Sequence, residues 1–176
     1  MVRALIVTFL VTAFFVACET DNEIGTGGNN GGGPPSVFYV RAKVDGVSKT
    51  WNVDPIAVKA QAGGSTTITI AGRAAVGSQE MINFSVSNSP SGNTIGPATY
   101  SEADGSGFLT SALYKVSQSA SYAAGFQVSP SNPFTITFTE LSTTEAKGTF
   151  SGDVYENNGL GPAKKTLTVG EFNVRF

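Results

Sequence analysis

This sequence predicts an all-β fold, an antiparallel β-sandwich of about eight to ten strands, with a closed or partly open barrel as the alternative. Three observations carry that expectation. From Val37 onward apolar residues recur at every second position. Turn-forming clusters interrupt them every ten or so residues. Outside the N-terminal segment no stretch of ten or more residues has the 3.6-residue spacing of an amphipathic helix.

The elements follow in order. Val37–Val44 alternates Phe38, Val40, Ala42 and Val44 with Tyr39, Arg41 and Lys43. Asp45-Gly46 then marks a two-residue hairpin, because both residues tolerate the positive φ that such a turn demands. The return strand, Val47–Val53, carries the only tryptophan, Trp51. Further strands are expected at 56–61, 66–72, 80–87, 98–101, 109–117, 122–127, 134–141, 146–155 and 166–176. Between them lie Gly63-Gly64, the 88–92 cluster, Ser129-Pro130-Ser131-Asn132-Pro133 and the Asn/Gly run from Asn157 to Pro162. Phe134, Ile136 and Phe138 should face a core, with Thr135, Thr137 and Thr139 facing water. Leu167 and Val169 sit on one parity while Phe172, Val174 and Phe176 sit on the other, which predicts a bulge at Gly170.

Residues 1–17 have a different character. Arg3 is followed by an uncharged run from Ala4 to Ala17, shorter than the ~20 residues of a membrane-crossing helix, so an export signal is expected there. The run ends Phe15-Val16-Ala17-Cys18 and contains the only cysteine. These four residues resemble the processing site of a bacterial lipoprotein, with Phe15 standing where that class usually has Leu. The resemblance implies that Cys18 becomes the first mature residue and carries acyl chains. Each buried CH₂ contributes about 0.8 kcal/mol, and two chains suffice for stable anchoring.

Residues 18–36 hold Glu19, Asp21 and Glu23 and then a Gly-rich run ending in Pro34-Pro35, the composition of a flexible acidic tether. Such an acidic patch behind the lipidated cysteine resembles the surface-export signal of Bacteroidetes lipoproteins. It implies an outer-membrane, lipid-anchored protein at the cell surface, with a periplasm-facing position as the alternative.

The remaining segment, 37–176, is expected to form a single domain, and its ten basic and ten acidic side chains make it formally neutral. Its pieces Val44-Asp45-Gly46 to Trp51, Gly96-Pro97-Ala98-Thr99-Tyr100, Gly148-Thr149-Phe150-Ser151-Gly152 and Gly170-Glu171-Phe172-Asn173-Val174 resemble an uncharacterised family of Bacteroidetes lipoproteins, a domain of unknown function. That resemblance implies a β-rich fold in the cell envelope and transfers no catalytic residue.

Composition excludes much chemistry. With no histidine and one cysteine, the chain cannot assemble a His/Cys zinc site, a Ser-His-Asp triad, a Cys-His pair or an internal disulfide. A net charge of −2 without a basic stripe argues against a nucleic-acid partner. Carboxylates remain as acid–base candidates, but the pair a glycosidase needs, about 5 to 9.5 Å apart, is not selected by anything in the sequence. Glu102 and Asp104 precede Gly105 like the start of a calcium loop, without the distal acid of an EF-hand, so a plain turn is the expectation. Asp153 and Glu156 read as a strand end entering a loop. Trp51 and Tyr39 are the candidates for stacking on a ligand, Tyr39 because it shares parity with Arg41 and Lys43. The Thr-x-Thr pieces at Thr67, Thr135 and Thr166 suit any half-exposed pleat.

The expectation is a membrane-anchored envelope lipoprotein with a non-enzymatic binding domain, without cofactor or metal, for a glycan or another envelope protein. A carboxylate-dependent glycoside hydrolase and a structural or fimbrial-type envelope subunit are the alternatives.

Overall fold

The computed structural model describes residues 38–89, 92–101, 107–125, 130–156 and 161–176. The export signal, the tether, Cys18, Glu102 and Asp104 lie outside the described residues. The strands are β1 (Tyr39–Val44), β2 (Val47–Trp51), β3 (Val53–Ala62), β4 (Ser65–Arg73), β5 (Met81–Asn88), β6 (Thr99–Ser101), β7 (Phe108–Lys115), β8 (Ser121–Ala124), β9 (Thr135–Leu141), β10 (Glu145–Tyr155) and β11 (Lys164–Arg175). The fold is all-β as the alternation predicts, with eleven strands, one more than the upper end of the expected count.

Two layers face each other. One has the order β2-β1-β11-β10-β9-β6 and the other β3-β4-β5-β7-β8. They are stitched at two corners, by a single parallel pair between Arg175 of β11 and Ile56 of β3 and by an antiparallel pair between Tyr155 of β10 and Ala123 of β8. Those corners fall at opposite ends of the central β10–β11 pair, so the architecture lies between a sandwich and a partial barrel. Closing both corners removes sheet edge that would otherwise be open.

Local chemistry sets the hairpins. Asp45 and Gly46 have φ of 49° and 83°, and Gly63 and Gly64 have 58° and 83°. Two successive left-handed residues define the type I′ turn, whose twist matches that of the strands it joins. The parity of β9 is as predicted, with Ile136 and Phe138 buried and Thr137 and Thr139 turned outward.

The bulge in β11 spans Val169 and Gly170, where the change of parity predicts it. Arg41 pairs with Glu171 and Lys43 with Thr168, so two residues of β11 oppose one of β1. Val169 takes the left-handed conformation, φ 50°, and points to solvent, while Gly170 turns inward with Phe172 and Val174. Gly170 cannot be exchanged for a larger residue, because a Cβ there would collide with the Phe150 carbonyl oxygen. Val169 therefore does not share the core face with Leu167, contrary to the simple alternation.

Phenylalanine joins the layers. Phe84 of β5 meets Phe150 of β10 at 4.5 Å between centroids and Phe172 of β11 at 5.5 Å, and Phe172 in turn meets Phe138 of β9 at 5.6 Å. Burying such rings between the sheets supplies the main driving force of folding.

Candidate functional site

The two aromatic candidates are not brought together. Trp51 closes β2 pointing inward, with no exposed surface, and its ring meets Tyr114 edge-on at 5.8 Å. It is a core residue and is unavailable for stacking on a sugar. Tyr100 and Tyr114 are also buried. Tyr39 of β1 points the other way and is half-buried, and the Arg41 guanidinium lies 4.7 Å from its ring centroid. Burial, then the adjacent Glu80 carboxylate, push the Tyr114 phenol far up, so it stays protonated and donates to Glu80 at 3.0 Å.

The carboxylates are engaged in holding strands. Asp45 accepts from Lys165 at 2.8 Å and from the Thr166 amide at 2.9 Å, and these bonds, Lys165 first, hold it below the usual carboxylate range. Glu80 pairs with Lys49 at 3.1 Å, and Lys147 bridges Glu140 and Glu145 at 2.9 and 3.3 Å. Asp153 is the deepest of them, 1% exposed near the β8–β10 corner. It accepts from Asn132 Nδ2 at 2.9 Å, Thr166 Oγ1 at 2.8 Å and Lys164 Nζ at 2.6 Å. Burial works to raise its pKa, but the three donors outweigh that and hold it below the ordinary value. A buried carboxylate holding three donors from β11 and from the loop before β9 acts as a structural clasp. Among the described residues no three His, Cys, Asp or Glu side chains gather as a metal site.

The two outer faces differ in charge. Across the six-stranded layer one cross-strand row reads Thr99, Thr137, Thr149, Glu171, Arg41, Thr50. Arg41 reaches Glu171 at 2.6 Å, and that bond raises the guanidinium pKa further. The shallow concavity beside this row holds Glu171 as its single carboxylate. Across the five-stranded layer, one row reads Val58, Thr69, Ser85, Ser111 and the next reads Ala60, Thr67, Ser87, Leu109. Neither row contains a charge. The hydroxyls bond to each other, Thr67 to Ser87 at 2.7 Å and Ser85 to Ser111 at 2.9 Å.

The β3–β4 hairpin gives this face an open border, while its charges, Arg73 and Lys115, lie in a row farther from that hairpin. β3 pairs along its length with β4, but on its other side its one pair is that of Ile56 with Arg175. From Ala57 to Ala62 no strand lies beside it among the described residues. Residues 58–62 are exposed on both parities, so this arm overhangs the core. Val58 and Ala60 share the outer side, and Lys59 and Gln61 share the side of buried Ile68. An unpaired edge presents a row of backbone N–H and C=O groups, every second residue pointing outward, which can add a further strand. The sequence marks 56–61 as a strand without marking its border. The available signal was the run Val58-Lys59-Ala60-Gln61-Ala62, whose small and polar residues are too weakly apolar to be covered on either face.

Together these features define a two-layer all-β domain in which Asp45, Glu80, Glu140, Glu145, Asp153 and Glu171 have internal partners, with open strand borders on β3 and on the terminal strands β2 and β6 among the described residues. Comparison with protein-family models, with curated proteins and with solved structures finds no match for the chain.

Proposed function

We propose that the chain is a lipid-anchored envelope protein whose β domain binds, without catalysis, an extended segment of another envelope protein by strand addition along β3. One observation carries the reading: six successive residues of β3, Ala57–Ala62, have no neighbouring strand on one side among the described residues. Main-chain bonding along such an edge supplies affinity, and the alternating side chains supply selectivity. Burial of Trp51, Tyr100 and Tyr114 favours a protein partner over a glycan, which would use exposed rings. Anchoring rests on Cys18 and its flanking residues, and outer-membrane surface display rests on the acidic tether.

Two experiments test the reading. A photo-crosslinker at Val58 in cells should yield an adduct with an envelope protein, and the adduct should disappear in whichever of Ala60→Pro and Gln61→Pro removes the outward amide. Consecutive residues point their amides to opposite sides, so only one substitution breaks the β4 ladder and lowers the melting temperature. Absence of any protein adduct from Val58 sinks strand addition. For the anchor, Cys18→Ser should move the protein from the membrane to the soluble fraction, and unchanged membrane association refutes lipidation.

A further inference from the structure

We infer that the β3 edge selects a strand carrying a carboxylate opposite Lys59, and that the same lysine keeps two copies of the chain from pairing through this edge. The inference rests on the strand-addition reading and deepens it. Lys59 sits in the middle of the open segment, opposite Ile68 on β4, and forms no ion pair among the described residues. Lys49, Lys147, Lys164 and Lys165, by contrast, each have a carboxylate within 3.3 Å. No acidic residue of β3 or β4 lies between Ile56 and Arg73 to serve Lys59 locally.

A cation at mid-edge acts in two directions. A lysine on an edge strand blocks apolar or identical strands, because pairing strips water from the ammonium without returning a counter-charge. A guest with Asp or Glu at the directly opposed position supplies that counter-charge on the same face of the sheet, within about 5.5 Å between Cβ atoms. Val58 and Ala60 on the opposite side ask only for small or apolar residues at the alternating positions. The fitting partner is therefore an extended segment alternating acidic or polar residues with apolar ones.

The test uses the full chain in detergent with three labelled decapeptides that alternate valine and threonine, one central threonine being replaced by Glu, Gln or Lys. Anisotropy at low salt should rank Glu over Gln over Lys, with about fivefold between the extremes. Lys59→Glu should invert the order, and 0.5 M salt should compress it. If the three peptides bind equally and the outward-amide proline variant abolishes binding, strand addition stands and the charge inference fails. If no peptide binds, strand addition and the charge selection both fail, and a Lys59→Ala chain that stays monomeric overturns the self-exclusion as well.

Discussion

The two layers of this domain have similar strand alternation and opposite surface characters. The six-stranded layer is irregular: β11 is bulged at Val169, Gly148 and Gly170 let neighbouring groups approach closely, and Arg41, Glu171, Lys147 and Glu140 pair across its outer face. The five-stranded layer is regular through β4, β5 and β7, carries hydroxyl pairs, and ends in the open arm of β3. Arg41, Lys147 and Lys164 in the first layer are matched by carboxylates within the molecule, whereas Lys43 forms no ion pair among the described residues. In the second, the backbone edge and Lys59 lack such matches among the described residues. The proposal of strand addition rests on that contrast.

The largest expected effect falls on what both layers share. Phe84→Ala removes the ring that meets Phe150 and Phe172 and should cost about 4 kcal/mol in urea denaturation, whereas Leu109→Ala on the exposed face should stay within about 0.5 kcal/mol. Equal losses would mean that the layers are not joined through this cluster.

Next comes the clasp in the six-stranded layer. Asp153→Ala leaves Asn132 and Thr166 without their acceptor and should cost about 3 kcal/mol at neutral pH. The folded-state pKa of Asp153 is depressed, so its contribution is present above the unfolded value, about 3.9, and is lost as pH falls through the folded one. Stability measured from pH 6 to pH 2 should therefore decline less steeply in Asp153→Asn than in the parent.

A smaller change sharpens the contrast between bulged and regular strands. Val169 holds a left-handed conformation that is costly for a β-branched residue, so Val169→Gly should stabilise the protein by about 1 kcal/mol, read as a rise in melting temperature. Smallest of all, a double-mutant cycle on Ser85→Ala and Ser111→Ala should give a coupling near 0.5 kcal/mol, confirming that the hydroxyls on the outer face of the five-stranded layer bond to each other. A coupling of zero would mean that they bond to water instead.

Much of this architecture was legible in one dimension. Alternation located all eleven strands, and Asp45-Gly46 announced its turn, because pleat and turn geometry are properties of a few consecutive residues. The bulge was legible in the change of parity across Gly170, but the close approach of Phe150 to Gly170 was not, because it is a contact between strands. Trp51 as a stacking candidate failed for a related reason: parity tells which residues share a side, and only the opposing layer tells whether that side is covered. Tyr39 does lie on the outer side, but with Arg41 against its ring.

By itself the sequence determined the strand class, the turns, the core aromatics and the exclusion of histidine and disulfide chemistry, since these depend on composition and local spacing. Tertiary structure decided that β3 keeps a free border, that Asp153 is consumed by Asn132, Lys164 and Thr166, and that Lys59 stands without a counter-charge among the described residues. The physical reason is distance along the chain. An edge exists only by virtue of which strand is missing beside it, and an ion pair such as Lys165 with Asp45 joins residues 120 positions apart.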